Sequence, residues 1–447
     1  MEDLKGSYAF VVLNKYENKL IACRYKSPLI LGVGDGEYFL ASDVPAVLEY
    51  TNRVIYLEDG DLVIVTPNGY EAFNKGIRVE RKIEIVPWSI EAAEKGGYEH
   101  FMLKEIHETP KVIEDTLFEY LVEEEITLDT SFAEDVNEII FVACGTSYHA
   151  SLLGKYILER LTGIPSKVEF ASEFNYHEVP LGKTLVVGIT QSGETADTLE
   201  ALRKAKKAGV KTLVITNVLG STATRIADNV LYIRAGPEIS VAATKSFVAQ
   251  LIVLYLIAAK LSLMPKAKFS EFVNELKTLP EKVQRLLDQE DKIKRIGEKL
   301  ANYENIMYIG RGLGYPVALE GALKMKEISY THAEGYPAGE LKHGPFALLG
   351  KNMPVIGCLI KDETYEIMLS NVKEIKARDS PVVLIADEED KEVEKYVDCV
   401  IRVPKTSPIF SPVVQSIALQ LLAYYAAKKR KCEIDKPRHL AKSVTVE

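Results

Sequence analysis

Basic residues do not dominate this sequence, its cysteines do not pair along the chain, and no apolar run is long enough to span a bilayer. The 55 Lys and Arg stand against 64 Asp and Glu, a formal net charge of −9. Nucleic acid needs a concentrated basic surface, so this balance argues against it as the main partner. A small phosphorylated ligand stays open, because one helix N-terminus with a few hydroxyls holds a phosphate whatever the net charge. Cys23, Cys144, Cys358, Cys399 and Cys432 form no CxxC pair, and none stands beside His at zinc-ligand spacing. They read as buried thiols in a reducing compartment, and no metal or other cofactor is expected. The longest apolar stretch, residues 251–264, is interrupted by Lys260 and reads as a buried core helix. MEDLKGSYAF lacks the basic-then-apolar order of a signal peptide. A soluble cytoplasmic protein with no membrane partner is expected.

What is present is a change of pattern along 447 residues, too many for one ordinary core. Residues 1–88 are short β-rich segments (YAFVVLN, KLIACRY, EYFLAS, RVIYLEDGDLVIVTP) separated by Gly, Asn and Asp turns. They suit part of an antiparallel domain, with DVPAVLEYT as one short helix. Residues 89–128 carry helical spacing and many charges and read as a helical linker. From residue 129 apolar strands alternate with helices, as in EIIFVACG followed by SYHASLLGKYILERLTG. Such alternation predicts a parallel sheet with crossover helices, an α/β fold. The pattern recurs: NIMYIGRG parallels EIIFVACG, and PVVLIAD parallels TLVITN. This reads as a duplicated α/β module, residues 129–285 and 286–437, followed by a polar tail, 438–447.

The clearest site signal is Thr190-Gln191-Ser192-Gly193-Glu194-Thr195, between a buried strand and a helix. Open α/β sheets bind ligands there. Thr190, Gln191, Ser192 and Thr195 all donate hydrogen bonds, Gly193 admits close approach, and free N–H groups at the helix start favour an anion. The bland alternative is a helix cap with Ser192 at the N-cap. Thr146 and Ser147 beside Gly145 offer a similar turn after the preceding strand, again a phosphate contact or a cap. Glu320, Lys324 and Glu327 share one helix face, and apolar neighbours such as Leu319, Ala322 and Leu323 imply partial burial. Buried carboxylates beside a Lys suit proton transfer, although a solvated face is the commoner meaning. His343, between Gly339 and Pro345, sits on a loop. Lys442 lies in the tail and would be a Schiff-base amine only if the tail folds back over the site.

TQSGETADT, VAATKSF, ALEGALKMKEISYTHAEGYPAGELKHGP and PRHLAKSVTVE closely resemble the glutamine–fructose-6-phosphate aminotransferases, the isomerising glucosamine-6-phosphate synthases, over essentially the whole chain. The duplicated module resembles the paired sugar isomerase (SIS) domains of that family. The resemblance implies amination and isomerisation of fructose 6-phosphate without metal or organic cofactor, in a homodimer. It implies phosphate contacts from Thr146, Ser147, Thr190, Gln191, Ser192 and Thr195, and sugar contacts from Val241 and Ala441. His343 of a neighbouring subunit would open the ring, and Lys442 would form an imine at C2. Glu327 would move the proton between C1 and C2, with Lys324 and Glu320 in support. Three positions depart from the pattern. Thr190 stands where Ser is usual, Ala243 where Ser is common, and His439 where Asn is frequent. The larger departure is at the front: the family opens on a nucleophilic cysteine in a CGIVG-like run, and this sequence opens on Met1-Glu2-Asp3. A partial glutaminase-type domain without glutamine hydrolysis is therefore expected, with ammonia or a separate glutaminase chain supplying nitrogen. Hexose-phosphate isomerisation without amination, and non-catalytic sensing of a sugar phosphate, are the alternatives.

Overall fold

The computed structural model describes residues 4–14, 16–88, 94–180 and 182–445; the expected start of the linker, 89–93, and the last two residues of the tail lie outside the described residues. Residues 4–88 form two antiparallel sheets. One has the spatial order Tyr8–Leu13, Leu20–Tyr25, Asp61–Thr66, Gly69–Asn74, Ile77–Val79. The other runs Tyr38–Ala41, Ile30–Val33, Arg53–Tyr56, Glu84–Ile85. Alternation along Asp61–Thr66 buries every second side chain, so Val63 and Val65 meet Leu31, Ile55 and Leu57 between the sheets. DVPAVLEYT, expected to be a short helix, folds as successive turns closed by Val47 N–H to Val44 O and Tyr50 N–H to Val47 O. So short a segment cannot offset helix nucleation, and burying Val44, Val47 and Leu48 against Ile30 and Val54 decides its shape.

Two helices follow, Phe101–His107 and Thr109–Tyr120, with Pro110 in the first turn of the second, where its missing N–H costs nothing. The start of the first is held by Asp435, whose carboxylate accepts the N–H groups of Phe101 and Met102, each at 2.9 Å.

The two α/β modules have the same architecture. In the first sheet the spatial order is Ser166–Phe170, Glu138–Ala143, Thr184–Thr190, Lys211–Thr216, Asn229–Tyr232, all parallel. In the second it is His332–Pro337, Asn305–Gly310, Val355–Cys358, Val382–Asp387, Cys399–Val403, again all parallel. Each therefore has the order 2-1-3-4-5, with its crevice between the ends of strands one and three. Helices cover both faces, which is why strands such as TLVVGIT are apolar without alternation. One apolar core joins the linker (Ile113), the first module (Leu254, on helix Lys245–Leu261, buried as far as Ala259) and the second (Tyr308, Leu422). Among the described residues no helix is long and apolar enough to cross a membrane.

The helices Glu290–Leu300 and Ser411–Arg430 meet at Gly297. A Cβ there would lie 2.9 Å from both the Leu422 carbonyl oxygen and Tyr425 Cβ. Replacing a helical Gly by Ala ordinarily gains up to about 1 kcal/mol. Here the clash is with backbone, so Gly297→Ala should destabilise by about 1–2 kcal/mol, read as a lower urea midpoint with unchanged slope.

Candidate active site

The site starts from the two strand ends that flank the first module's crevice. After Glu138–Ala143 the chain turns at Gly145 (φ +52°) into helix Gly145–Thr162, placing Thr146 and Ser147 in its first turn. After Thr184–Thr190 the loop runs to helix Ala196–Lys207. Within it the Thr190 and Thr195 hydroxyls lie 3.0 Å apart, and Thr190 Oγ1 accepts the Gly193 N–H at 3.2 Å. Gly193 has φ +68°, and a Cβ there would fall 2.0 Å from Ser221 Oγ, so only glycine fits. Ser192 is not the N-cap that its spacing allowed. The helix begins later, at Ala196, and the Ser192 hydroxyl instead accepts the Glu194 N–H at 3.1 Å.

A second group crosses from one module to the other. Lys324, on helix Gly314–Ser329, has no exposed side-chain surface. Its Nζ lies 2.5 Å from Glu327 Oε2 and 3.6 Å from Glu320 Oε1, and donates to Thr146 Oγ1 at 3.1 Å. The Thr146 hydroxyl donates to Glu320 Oε1 at 3.1 Å, and His149 Nδ1 lies 2.8 Å from Glu320 Oε2. Burial works against the Lys324 charge, but Glu327 and Glu320 outweigh it and hold the ammonium above the ordinary lysine range. Glu320 is 1% exposed and Glu327 22%, so Glu327 is the carboxylate of the pair that a substrate can reach.

The described part of the tail, 438–445, folds back onto the modules. The Val444 carbonyl accepts the N–H of Ala196, the first residue of the helix after the hydroxyl-rich loop, at 3.0 Å. The Arg438 guanidinium stacks 4.4 Å from the Tyr330 ring centre. His439 has φ +63°, a conformation Asn and His adopt more readily than most residues. Lys442 Nζ reaches Glu238 Oε2 at 2.6 Å and the Ser240 carbonyl at 2.8 Å. A cavity of about 390 Å³ is lined by Gln191 and Ser192 from the loop, Ala441 and Lys442 from the tail, and Arg24 and Tyr56 from the amino-terminal sheets. Val241 lines a neighbouring cavity of about 640 Å³ that shares Glu238, Ala441 and Lys442. His343 is exposed on the short turn Ala338–His343 and lines neither cavity.

Sequence reading passed over Glu238, Glu105 and His149. His149 stands three residues after Thr146 on one helix, so helical spacing could have found it. Glu105 and Glu238 carry no local signal. Glu105 Oε1 accepts the N–H groups of Ile239 and Ser240 at 2.5 and 3.1 Å. Burial and the nearby Glu238 charge push the Glu105 carboxyl well above the usual range. Burial opposes the Glu238 charge too, but the Lys442 ammonium and four hydrogen bonds hold it below that range. Burial raises all five cysteine thiols, which makes each a weak nucleophile. Among the described residues no His, Cys, Asp and Glu group is arranged to hold a metal.

Residues 134–260 and 299–430 match the family profile of the SIS domain. The glutamine–fructose-6-phosphate aminotransferase (isomerising) of Methanosarcina acetivorans is 48% identical over 461 aligned positions, covering 100% of this chain and 75% of that protein. The protein of the same name from Aquifex aeolicus is 46% identical, again over 100% of this chain and 75% of its own length. The chain belongs to the glutamine–fructose-6-phosphate aminotransferase family. Among solved structures, the C-terminal domain of glucosamine–fructose-6-phosphate aminotransferase from Francisella tularensis superposes with a TM-score of 0.73 at 42% identity, over 77% of this chain and 100% of that one. A glucosamine-6-phosphate deaminase from Thermotoga maritima superposes with a TM-score of 0.62 at 27% identity, over 77% of this chain and 99% of that one. The aminotransferase family thus carries the tandem SIS modules seen here, preceded in this chain by the two antiparallel sheets.

Glu105 gives a pH test with a definite sign. A carboxyl raised on folding binds more protons in the native state, so stability falls as pH rises from the ordinary carboxylate range through its elevated value. Glu105→Gln should flatten that decline, measured as urea midpoints between about pH 5 and 9.

Proposed function

We propose that this chain converts fructose 6-phosphate and ammonia to glucosamine 6-phosphate and water, acting in the cytoplasm. One observation supports the reading above the others: the hydroxyl-rich loop and Lys442 line one cavity, although 250 residues of sequence separate Ser192 from Lys442. Thr146 adjoins Ser147 and ties the Lys324 group to the same crevice.

The sugar phosphate sits at the start of helix Ala196–Lys207, held by Ser147, Thr190, Gln191, Ser192 and Thr195, with the helix dipole favouring its charge. Val241 and Ala441 border the sugar. The Lys442 amine attacks the C2 carbonyl with loss of water to form an imine, ammonia adds at C2 and displaces the Lys442 amine, and the sugar imine so left acidifies the C1 proton. Glu327 carries that proton between C1 and C2. Lys324 holds the Glu327 carboxylate in place at 2.5 Å, and Glu320 with His149 fixes Lys324. His343 is exposed and lines neither cavity, and we assign it to ring opening in the second subunit of a homodimer. In this reading ammonia, free or released by a separate glutaminase chain, supplies the nitrogen.

Purified chain with fructose 6-phosphate and ammonium should yield glucosamine 6-phosphate. Absence of product from folded protein at high ammonium rejects the reading, and glucose 6-phosphate formed without nitrogen points to plain isomerisation. Glu327→Gln should lower kcat by roughly 10²–10⁴-fold with little change in KM. Mixing His343→Ala and Glu327→Gln subunits should restore about a quarter of wild-type activity if His343 serves the partner's site, since half the dimers are mixed and each has one intact site.

A further inference from the structure

Glu238 lies between the last strand of the first sheet, Asn229–Tyr232, and the buried helix Lys245–Leu261, and its side chain has no exposed surface. Its two carboxylate oxygens do separate work. Oε1 accepts the backbone N–H groups of Thr244 at 2.9 Å and Ser246 at 3.1 Å, at the start of the helix. Those N–H groups are orphans of the helix end, and the Thr244 side chain makes no cap bond. Oε2 accepts the Ser246 hydroxyl at 2.8 Å and the Lys442 ammonium at 2.6 Å.

Capping a helix requires one acceptor oxygen and no charge, and a glutamine carbonyl supplies it. Burying a full carboxylate is expensive unless a cation meets it. The charge of Glu238 is therefore accounted for by Lys442 rather than by the helix. Lys442 has matching needs. It stands on irregular backbone, and fixing a long lysine side chain forfeits rotamer freedom that only specific contacts offset. Its second acceptor, the Ser240 carbonyl, belongs to a turn that Glu105 holds through the N–H groups of Ile239 and Ser240. The amine is thus seated by a rigid frame on the wall shared by the two cavities.

We propose that Glu238 is the positioning residue for Lys442, its Oε2 seating the amine beside the bound sugar while its Oε1 caps the helix. This rests on the reading of Lys442 as the imine-forming amine. Without the contact the lysine samples many rotamers, and imine formation slows while sugar binding does not.

Glu238→Gln separates the two duties, because its carbonyl oxygen keeps the cap and its NH₂ confronts Lys442 as donor against donor. Two readouts apply: the rate at which borohydride traps a Lys442–sugar adduct, followed by mass spectrometry, and the rate at which an amine-acylating reagent labels Lys442 without sugar. The variant should keep the wild-type thermal midpoint and a fructose 6-phosphate KM within about two-fold, while trapping and kcat fall at least about ten-fold. Labelling of Lys442 should change several-fold, and Glu238→Asp should recover part of the trapping. Trapping and labelling at wild-type rates in Glu238→Gln overturn the proposal. Should that variant not fold, Ser246→Ala removes a bond that orients Oε2 and leaves the Oε1 cap, and unchanged labelling there overturns it equally. A wild-type protein that traps no sugar strikes the imine reading alone, and labelling still decides the role of Glu238.

Discussion

A lysine ammonium buried without exposed surface is the constraint around which the two α/β modules are arranged. Desolvating a charge of that kind costs several kcal/mol, so Lys324 is tolerable only with its carboxylates and hydroxyl in place. Two of the side chains that complete the group, Thr146 and His149, come from the other module. A small rotation of one module would leave Glu320 or Lys324 unpaired in a dry interface, an outcome the apolar core around Leu254, Tyr308 and Leu422 does not by itself prevent. Polar satisfaction fixes the angle and apolar burial supplies the adhesion.

That division also explains what could be read from the sequence. Strands buried on both faces are unbroken apolar runs, so EIIFVA, TLVVGIT and their second-module counterparts announced parallel sheets and their repetition. Glu320, Lys324 and Glu327 were legible because helical spacing is local and their apolar neighbours implied burial. The alternative of Ser192 as a cap does not hold, since the spacing of a hydroxyl does not locate the first helical residue. DVPAVLEYT misled because packing against neighbouring strands overrode a weak helical pattern.

The tail was the least legible element. Its polar composition reads as solvated, and the contacts that order it are made with residues far away in sequence: Ala196, Tyr330 and Glu238. Glu105 and Glu238 escaped for the same reason. Glu105 bonds to Ser240, 135 positions on, and Glu238, besides Thr244 and Ser246 nearby, pairs with Lys442, 204 positions on. Long-range electrostatic pairing is where pattern reading ends.

The shared 2-1-3-4-5 order hides an inequality between the modules. Counting from Gly145 and Gly314, which open the equivalent helices, Ser151 and Leu158 stand where Glu320 and Glu327 do. Conversely, the third strand of the second module leads into the apolar, buried Leu359 and Ile360 rather than a hydroxyl-rich turn. One copy keeps the hydroxyl-rich loop and the other keeps the helix with the buried lysine group. A chain built from two first modules would hold two loops and no buried lysine group, and one built from two second modules the reverse. The duplication has become obligate complementarity: the halves share a backbone plan, yet neither can stand in for the other.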